Sequence, residues 1–396
     1  MQEEEEEDRQ QNQASWKAQS LHDLMNNPRY TTVMLAAAVF FLMSIFIHFP
    51  LSNSPRYYSD IVDTFWYGRA PQGGGLPFAA TGIPYVTYFF EYPPICGLIL
   101  WLGGWGSGGS AQLYAAIEFG ILLLFFLMTT HFTYQFLENL GLGHTKQIIF
   151  SIFAPSVLFY GAYNFDIVQT AFVIASLYFF VARKNSNLAA IFLGLSISTK
   201  LSPIFLIPLF WQEMKGNAAR LRFTILTAAV VAATNVPFII ANYNLWYQSY
   251  RFLASWGLED SFLVWIFPNP ATWNLAKDVS LALLGISAIS IYIFLRGKPL
   301  LVRAFLITGI FLLFSYIATP QMNLDLLPFF ALVPVVPLSL FYLFDITDVA
   351  IILTWFIFQN STLPGFTQTF ALLRQIYLAV ILGLVAFTKH SPKPRT

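Results

Sequence analysis

Residues 93–106 read Pro93-Pro94-Ile95-Cys96-Gly97-Leu98-Ile99-Leu100-Trp101-Leu102-Gly103-Gly104-Trp105-Gly106, and the architecture turns on whether this stretch crosses a membrane. Its apolar part holds about ten residues, half of the ~20 that carry a helix through a bilayer core. Charge decides the matter. Longer apolar segments fall near 31–50, 111–135, 146–161, 167–182, 188–200, 201–212, 221–241, 275–295, 302–318, 324–344, 346–359 and 371–388. If 95–105 stays on one side, the connections 138–146, 183–187, 213–222 and 296–303 face the same compartment as both chain ends. Those segments together hold 15 of the 21 Lys and Arg residues, leaving Arg56, Arg69, Lys200, Arg251, Lys277 and Arg374 elsewhere. A crossing at 95–105 would flip every later connection and scatter this bias, against the positive-inside rule.

The expected fold is therefore an all-α polytopic membrane protein. It has about 12 transmembrane helices and external juxtamembrane helices within one long outside segment, 51–110. A disordered acidic cytoplasmic tail occupies 1–30, the transmembrane domain 31–388, and a second cytoplasmic tail 389–396. The pair 188–200 and 201–212 meets at Lys200-Leu201-Ser202-Pro203. Proline restricts the residue before it, so this reads as a tight hairpin of half-buried helices.

Composition agrees. Hydrophobic residues make up 57% of the 396 positions and charged residues 10%, against about 25% charged in a soluble domain. Phe, Tyr and Trp number 41, 19 and 10, suited to helix packing and to the headgroup layer. A net charge of +1 says nothing about nucleic acid, and no nucleic-acid partner is expected. The single cysteine, Cys96, excludes an intramolecular disulfide and a cysteine zinc site, and five scattered histidines do not make a metal cluster. The acidic run Glu3 to Asp8 is the wrong charge for a secretory signal.

Ionisable groups near a membrane are costly and point to function, and here they collect on the outer side. Asp60 and Asp63, in Tyr58-Ser59-Asp60-Ile61-Val62-Asp63, share one face of a helix at i, i+3 spacing. They suit a general base or an oxygen-ligated cation, and equally a solvated amphipathic helix. Glu91-Tyr92-Pro93-Pro94 sets an acid among aromatics at a rigid diproline, or simply starts a helix. Asn164-Phe165-Asp166 fits a helix cap or a polar site. Lys200, expected as a lone ammonium with few packing partners, either snorkels or binds a phosphate. Thr319-Pro320-Gln321-Met322-Asn323-Leu324-Asp325 brings two amides and an acid to one helix end, where capping is the plainer reading. One cavity for a sugar, a phosphate and a lipid accounts for all of these together.

In order and topology these motifs resemble the GT-C class of membrane glycosyltransferases, most of all the family 87 type that includes the phosphatidylinositol mannoside mannosyltransferases. The similarity spans about residues 55–330. It rests on the acidic first outer loop, on Glu91-Tyr92-Pro93-Pro94, on Lys200 with Pro203 and Pro208, and on Pro320-Gln321 with Pro328. A histidine found near the late Pro-Gln element in some relatives has no counterpart beside Gln321, and Asn164/Asp166 is shorter than the Gly-Asn-Gly-Gln type of motif. The resemblance implies a polyprenyl-phosphate sugar donor, a lipid or glycan acceptor and no cofactor. Asp60 takes the position of the base. Lys200 takes that of the phosphate-binding cation, helped by Arg56 or Arg69. Asp63, Glu91, Tyr92, Asn164, Asp166, Gln321 and Asn323 line the donor site, and no metal is required. The rival readings are a transporter or lipid flippase, and an inactive subunit of a glycosylation complex. Against the transporter stand the lack of an evident repeat and the lack of charged residues deep in both halves.

Overall fold

The computed structural model describes residues 26–51, 56–68, 82–358 and 364–389. Residues 1–25 of the expected tail, Arg69 and residues 390–396 lie outside the described residues. Everything described is helical or connecting, with two isolated β-bridges, Pro84 to Tyr88 and Glu259 to Ile317.

The chain opens with α1 (Pro28–His48), capped by Asn27, whose side chain accepts from Arg29 N–H. A π-helix follows at Asp60–Gly68, then α2 (Pro94–Gly106) and α3 (Ala111–Asn139). Next come α4 (Pro155–Tyr160), α5 (Asp166–Val181), α6 (Ser186–Ile197), α7 (Ile207–Glu213) and α8 (Asn217–Ser255). The last part holds α9 (Leu263–Ile266), α10 (Trp273–Phe294), α11 (Leu300–Phe314), α12 (Leu327–Leu332), α13 (Leu338–Phe358) and α14 (Phe366–Phe387). Among the described residues, six helices are long and apolar enough to cross a membrane: α1, α3, α8, α10 with its preceding turn, α13 and α14. The helices α2, α5, α6 and α11 are apolar but shorter.

Burial divides them. Every residue of α5 from Asp166 to Tyr178 is buried, and α11 is nearly so, the mark of central helices that are apolar all round. The flanking helices instead turn large apolar side chains outward. Leu35, Val39 and Phe46 of α1, Ile240 of α8, and Ile286 and Ile293 of α10 are all exposed. Apolar faces of this extent need lipid on the flanks.

Several apolar segments are not single helices. Segment 146–161 begins as Thr145–Gln147, widens into a π-turn at Ile148–Ile152 and restarts at Pro155. Segment 201–212 starts as a 3₁₀ turn, Ser202–Leu206, before α7. The 3₁₀ turn Pro320–Asp325 likewise precedes α12. In α8, Pro237 removes a backbone donor and Asn242 leaves helical geometry, its side chain accepting from Leu245 N–H to cap a second limb. One boundary is corrected. The sequence divides 324–344 from 346–359 at residue 345, whereas the structure breaks at 333–337, where Pro334 and Pro337 stand. Asp345 falls inside α13, tolerated because Ser156 N–H (3.1 Å) and Asn323 Nδ2 (2.8 Å) satisfy its carboxylate.

Candidate functional site

The residues that the sequence singles out converge where five pieces meet: the segment 56–63, the start of α2, the start of α5, the turn 198–201 and the 3₁₀ turn at Pro320. The first piece is stapled in place. Ser59 Oγ donates to the carbonyls of Ala162 (2.8 Å) and Tyr163 (3.2 Å), and Ile61 N–H donates to Tyr163 (3.3 Å). His48 lies between the carbonyls of Tyr57 (3.2 Å) and Phe159 (3.0 Å). Ile61, Val62, Phe65 and Trp66 are buried, with Phe65 stacked on Phe165 and Trp66 on Tyr114. With the apolar side of the π-helix so anchored, Asp60 faces the polar side.

Asp60 is half-buried and receives Tyr58 O–H (2.9 Å) and Asn164 Nδ2 (2.7 Å), with Thr64 Oγ1 at 3.4 Å. Desolvation pushes its carboxyl up to about 6; the hydrogen bonds from Tyr58, Asn164 and Thr64 oppose this, and the nearby Asp166 adds to it. Asp63 is not its companion. In the wider π-helix the two acids take different partners. Arg56 grips Asp63 with both terminal nitrogens (2.6 and 2.8 Å), and Ser59 N–H adds a third bond at 2.8 Å. Arg56 and Asp63 thus hold each other and the loop. No group of three metal-ligating side chains occurs among the described residues.

Asn164 joins Asp60 to the second motif, its Nδ2 also reaching Tyr92 Oη at 2.8 Å. Tyr92 stands just before Pro93, the cap of α2, and Tyr85 O–H fixes this corner by donating to the carbonyls of Tyr92 (2.6 Å) and Pro93 (3.0 Å). The Tyr85 ring fills the space beside Gly97, where a Cβ would come within 2.3 Å of it. Ile95 N–H and Cys96 Sγ then bond to the carbonyls of Ser198 (3.0 Å) and Thr199 (3.3 Å), which brings the Lys200 turn alongside. The Lys200 ammonium lies over the Tyr92 ring at 5.5 Å and donates to Asp166 Oδ1. Lys200 is therefore not the lone ammonium expected from sequence. Asp166 is fully buried, and its second oxygen has no hydrogen-bond partner.

One turn along α5, Gln169 Nε2 and Thr170 Oγ1 each donate to Asp325 at 2.6 Å, and Ser202 Oγ donates to Gln169 (3.1 Å). These four side chains line one part of a pocket continued by apolar residues, among them Val173 and Leu206. Asp325 also acts electrostatically on Lys200. Gln321 is buried in the same turn as Asp325. Asn323 leaves the group, since its amide bonds to Asp345. Glu91 is half-buried at the entry to α2.

Sequence reasoning put Asp325 in its motif without a role, and it passed over Gln169 and Thr170, although their i+3 and i+4 spacing from Asp166 was readable. Charged residues deep inside both halves are likewise not expected from the sequence. Glu118 of α3, Asp348 of α13 and Arg374 of α14 are all fully buried. Arg374 pairs with Asp348 at 3.0 Å and donates to the carbonyls of Asp260 (2.9 Å) and Ala318 (2.6 Å), partners that no local pattern reveals. The chain matches no protein-family model and no curated protein sequence.

Proposed function

We propose that this protein is a membrane glycosyltransferase that moves a hexose, mannose by preference, from a polyprenyl-phosphate donor to a lipid or glycan acceptor. The observation that carries this reading is the junction of Asp60 and Lys200, 140 positions apart, through Asn164, Tyr92 and Asp166. A base and a cation held by one continuous network suit a displacement at a carbon between them. The acceptor oxygen attacks the anomeric carbon while the bond from that carbon to the phosphate oxygen breaks. The electron pair leaves with the lipid phosphate, facing Lys200, and the acceptor proton passes to Asp60. An acid near 6 is mostly ionised at neutral pH, yet basic enough to accept a proton efficiently.

The reading extends to topology. On this reading nine helices and three broken passages, Thr145–Tyr160, Ser202–Glu213 and Pro320–Leu332, are counted as twelve crossings. Twelve crossings, with the bias of basic residues, put the basic connections and both termini in the cytoplasm and the site on the extracytoplasmic face. On this arrangement α6, 12 residues long, rises about 18 Å through a core of ~30 Å. Lys200 then lies below the outer headgroup layer, at a depth that a membrane-bound lipid phosphate reaches by sinking slightly.

The transporter reading gains one specific observation, the Asp325 pocket between two proline-initiated broken passages, a pattern of transport sites. Purified protein incubated with radiolabelled polyprenyl-phosphate mannose or glucose and a membrane lipid extract separates the two. Label transferred to a lipid or glycan, and lost in Asp60→Asn, supports the transferase. Donor left intact, with proteoliposomes that flip or take up the labelled lipid, overturns it.

A further inference from the structure

Tyr92 stands between the base and the cation, and its hydroxyl still has a proton to give. Asn164 Oδ1 accepts from Phe165 N–H at 2.6 Å, which fixes the amide so that its nitrogen faces the site. That nitrogen carries two hydrogens. One goes to Asp60 Oδ2 (2.7 Å) and the other to Tyr92 Oη (2.8 Å). Tyr92 Oη is therefore the acceptor in its bond with Asn164, and among the described residues nothing accepts its own O–H.

The ring cannot turn that hydroxyl elsewhere. Pro93 bars helical geometry at the residue before it, and Tyr85 O–H holds the Tyr92 carbonyl at 2.6 Å. Phe65, Phe90 and Phe165 surround the ring with centroids at 6.1, 5.7 and 5.9 Å. The Lys200 ammonium lies over it at 5.5 Å. Tyr92 is still only half-buried. Its hydroxyl is no farther from Asp60 Oδ2 than two hydrogen bonds that share one nitrogen, so it sits beside the base on a ring that touches the cation.

Both neighbours polarise the same O–H. An N–H donated into the oxygen strengthens the bond made by the oxygen's own hydrogen, and a cation over the ring draws electron density in the same sense. A donor strengthened in this way is worth most against an atom that gains negative charge during the reaction. The hydroxyls of a transferred sugar gain none. The oxygen that leaves with the phosphate does.

We infer that Tyr92 is a catalytic residue whose O–H hydrogen-bonds the oxygen between the anomeric carbon and phosphorus. This rests on the transferase reading above. The acceptor oxygen bonds to the anomeric carbon and its proton passes to Asp60. The electron pair of the breaking bond moves onto the bridging oxygen, which departs with the lipid phosphate. Tyr92 keeps its proton, and its hydrogen bond tightens as that charge appears. Lys200 faces the other phosphate oxygens, so the two groups share the leaving phosphate.

The test uses the full-length protein, a membrane lipid extract as acceptor, and two donors. One is polyprenyl-phosphate mannose; the other carries fluorine on the lipid carbon next to the one bearing the phosphate. Fluorine makes the departing phosphate a weaker base that needs less help. Tyr92→Phe keeps the ring and should lower the single-turnover rate with the ordinary donor by about 10²–10³. Donor affinity should change little, because the bond strengthens only in the transition state. The loss should be severalfold smaller with the fluorinated donor, whereas a merely structural role would slow both alike. Equal losses with the two donors, a near-normal rate, or lost donor affinity at an unchanged rate overturns the assignment and leaves the transferase standing. Wild type that transfers from neither donor overturns both. If Tyr92→Phe does not fold, a ring-fluorinated tyrosine at this position keeps the bond from Asn164 and donates more strongly. The gap in rate between the two donors must then narrow, and an unchanged gap counts against the inference.

Discussion

Replacing Asp60 by Asn tests the mechanism at its centre. The carboxylate receives one bond from Asn164 Nδ2 and one from Tyr58 O–H. An asparagine can turn its carbonyl to Asn164 and its amide to Tyr58, whose hydroxyl can accept as readily as donate. The fold and the neighbouring Lys200–Asp166 pair should therefore survive, and only the basic site is lost. General-base assistance is worth about 10²–10⁴ in rate, so turnover should fall by that factor while donor KM changes little. The wild-type pH profile gives a second reading of the same group. With Asp60 near 6, the ionised fraction falls from about 0.9 at pH 7 to about 0.1 at pH 5. The rate should rise roughly tenfold between pH 5 and 7 and then level, and Asp60→Asn should flatten this limb. The assay is initial-rate transfer of radiolabelled mannose from the polyprenyl donor, across that range. Turnover within threefold of wild type in a folded Asp60→Asn protein, or the same pH limb in the variant, refutes Asp60 as the base.

Three further outcomes follow from the geometry. Lys200→Met strands the buried Asp166 carboxylate, an error worth about 3–5 kcal/mol, and should lower both Tm and donor affinity; adding Asp166→Asn should restore Tm but not donor binding, and recovery of donor binding in the double variant would remove Lys200 from the phosphate. Gly103→Ala would set a Cβ 2.2 Å from Glu118 Oε1, so a substitution that favours an isolated helix by up to about 1 kcal/mol should instead destabilise this one by about 1–3 kcal/mol, relieved by Glu118→Ala; equal Tm values for Gly103→Ala and wild type count against this packing. Cys96 is buried, so single added cysteines report topology cleanly: an impermeant maleimide should label Gln112→Cys, at an exposed position, in intact cells and spare Asn187→Cys, and the reverse pattern inverts the arrangement. Ser107 is the poorer probe, being buried with its hydroxyl on the Gly104 carbonyl.

Much of this protein is readable without coordinates because the bilayer is a severe solvent. It demands long apolar helices, and the sequence supplies those of α1, α3, α8, α10 and α14 in plain view. Charge asymmetry carries the expected order of the connections, and prolines announce where helical turns start, as at Pro94, Pro155 and Pro320. The motif residues Asp60, Tyr92, Asn164, Asp166 and Lys200 also stand out locally, since each is a polar group at the edge of an apolar segment. Their partners do not. That Asp63 belongs to Arg56, that Lys200 is neutralised by Asp166, and that Asn323 turns away to Asp345 depend on which side chains approach from elements far off in sequence. The π-winding at Asp60–Gly68, with Ile61, Val62, Phe65 and Trp66 buried, breaks the i, i+3 pairing that an α-helix implies. The buried charges Glu118, Asp348 and Arg374 sit in stretches apolar enough to hide them, and only packing reveals that Arg374 latches the loop at Asp260. Apolar length thus determines which helices are able to cross a bilayer, and polarity marks the groups that are out of place. The assembled bundle alone decides which of those groups meet, because a buried ion or hydrogen bond is settled by the few ångströms between side chains that the chain order does not record.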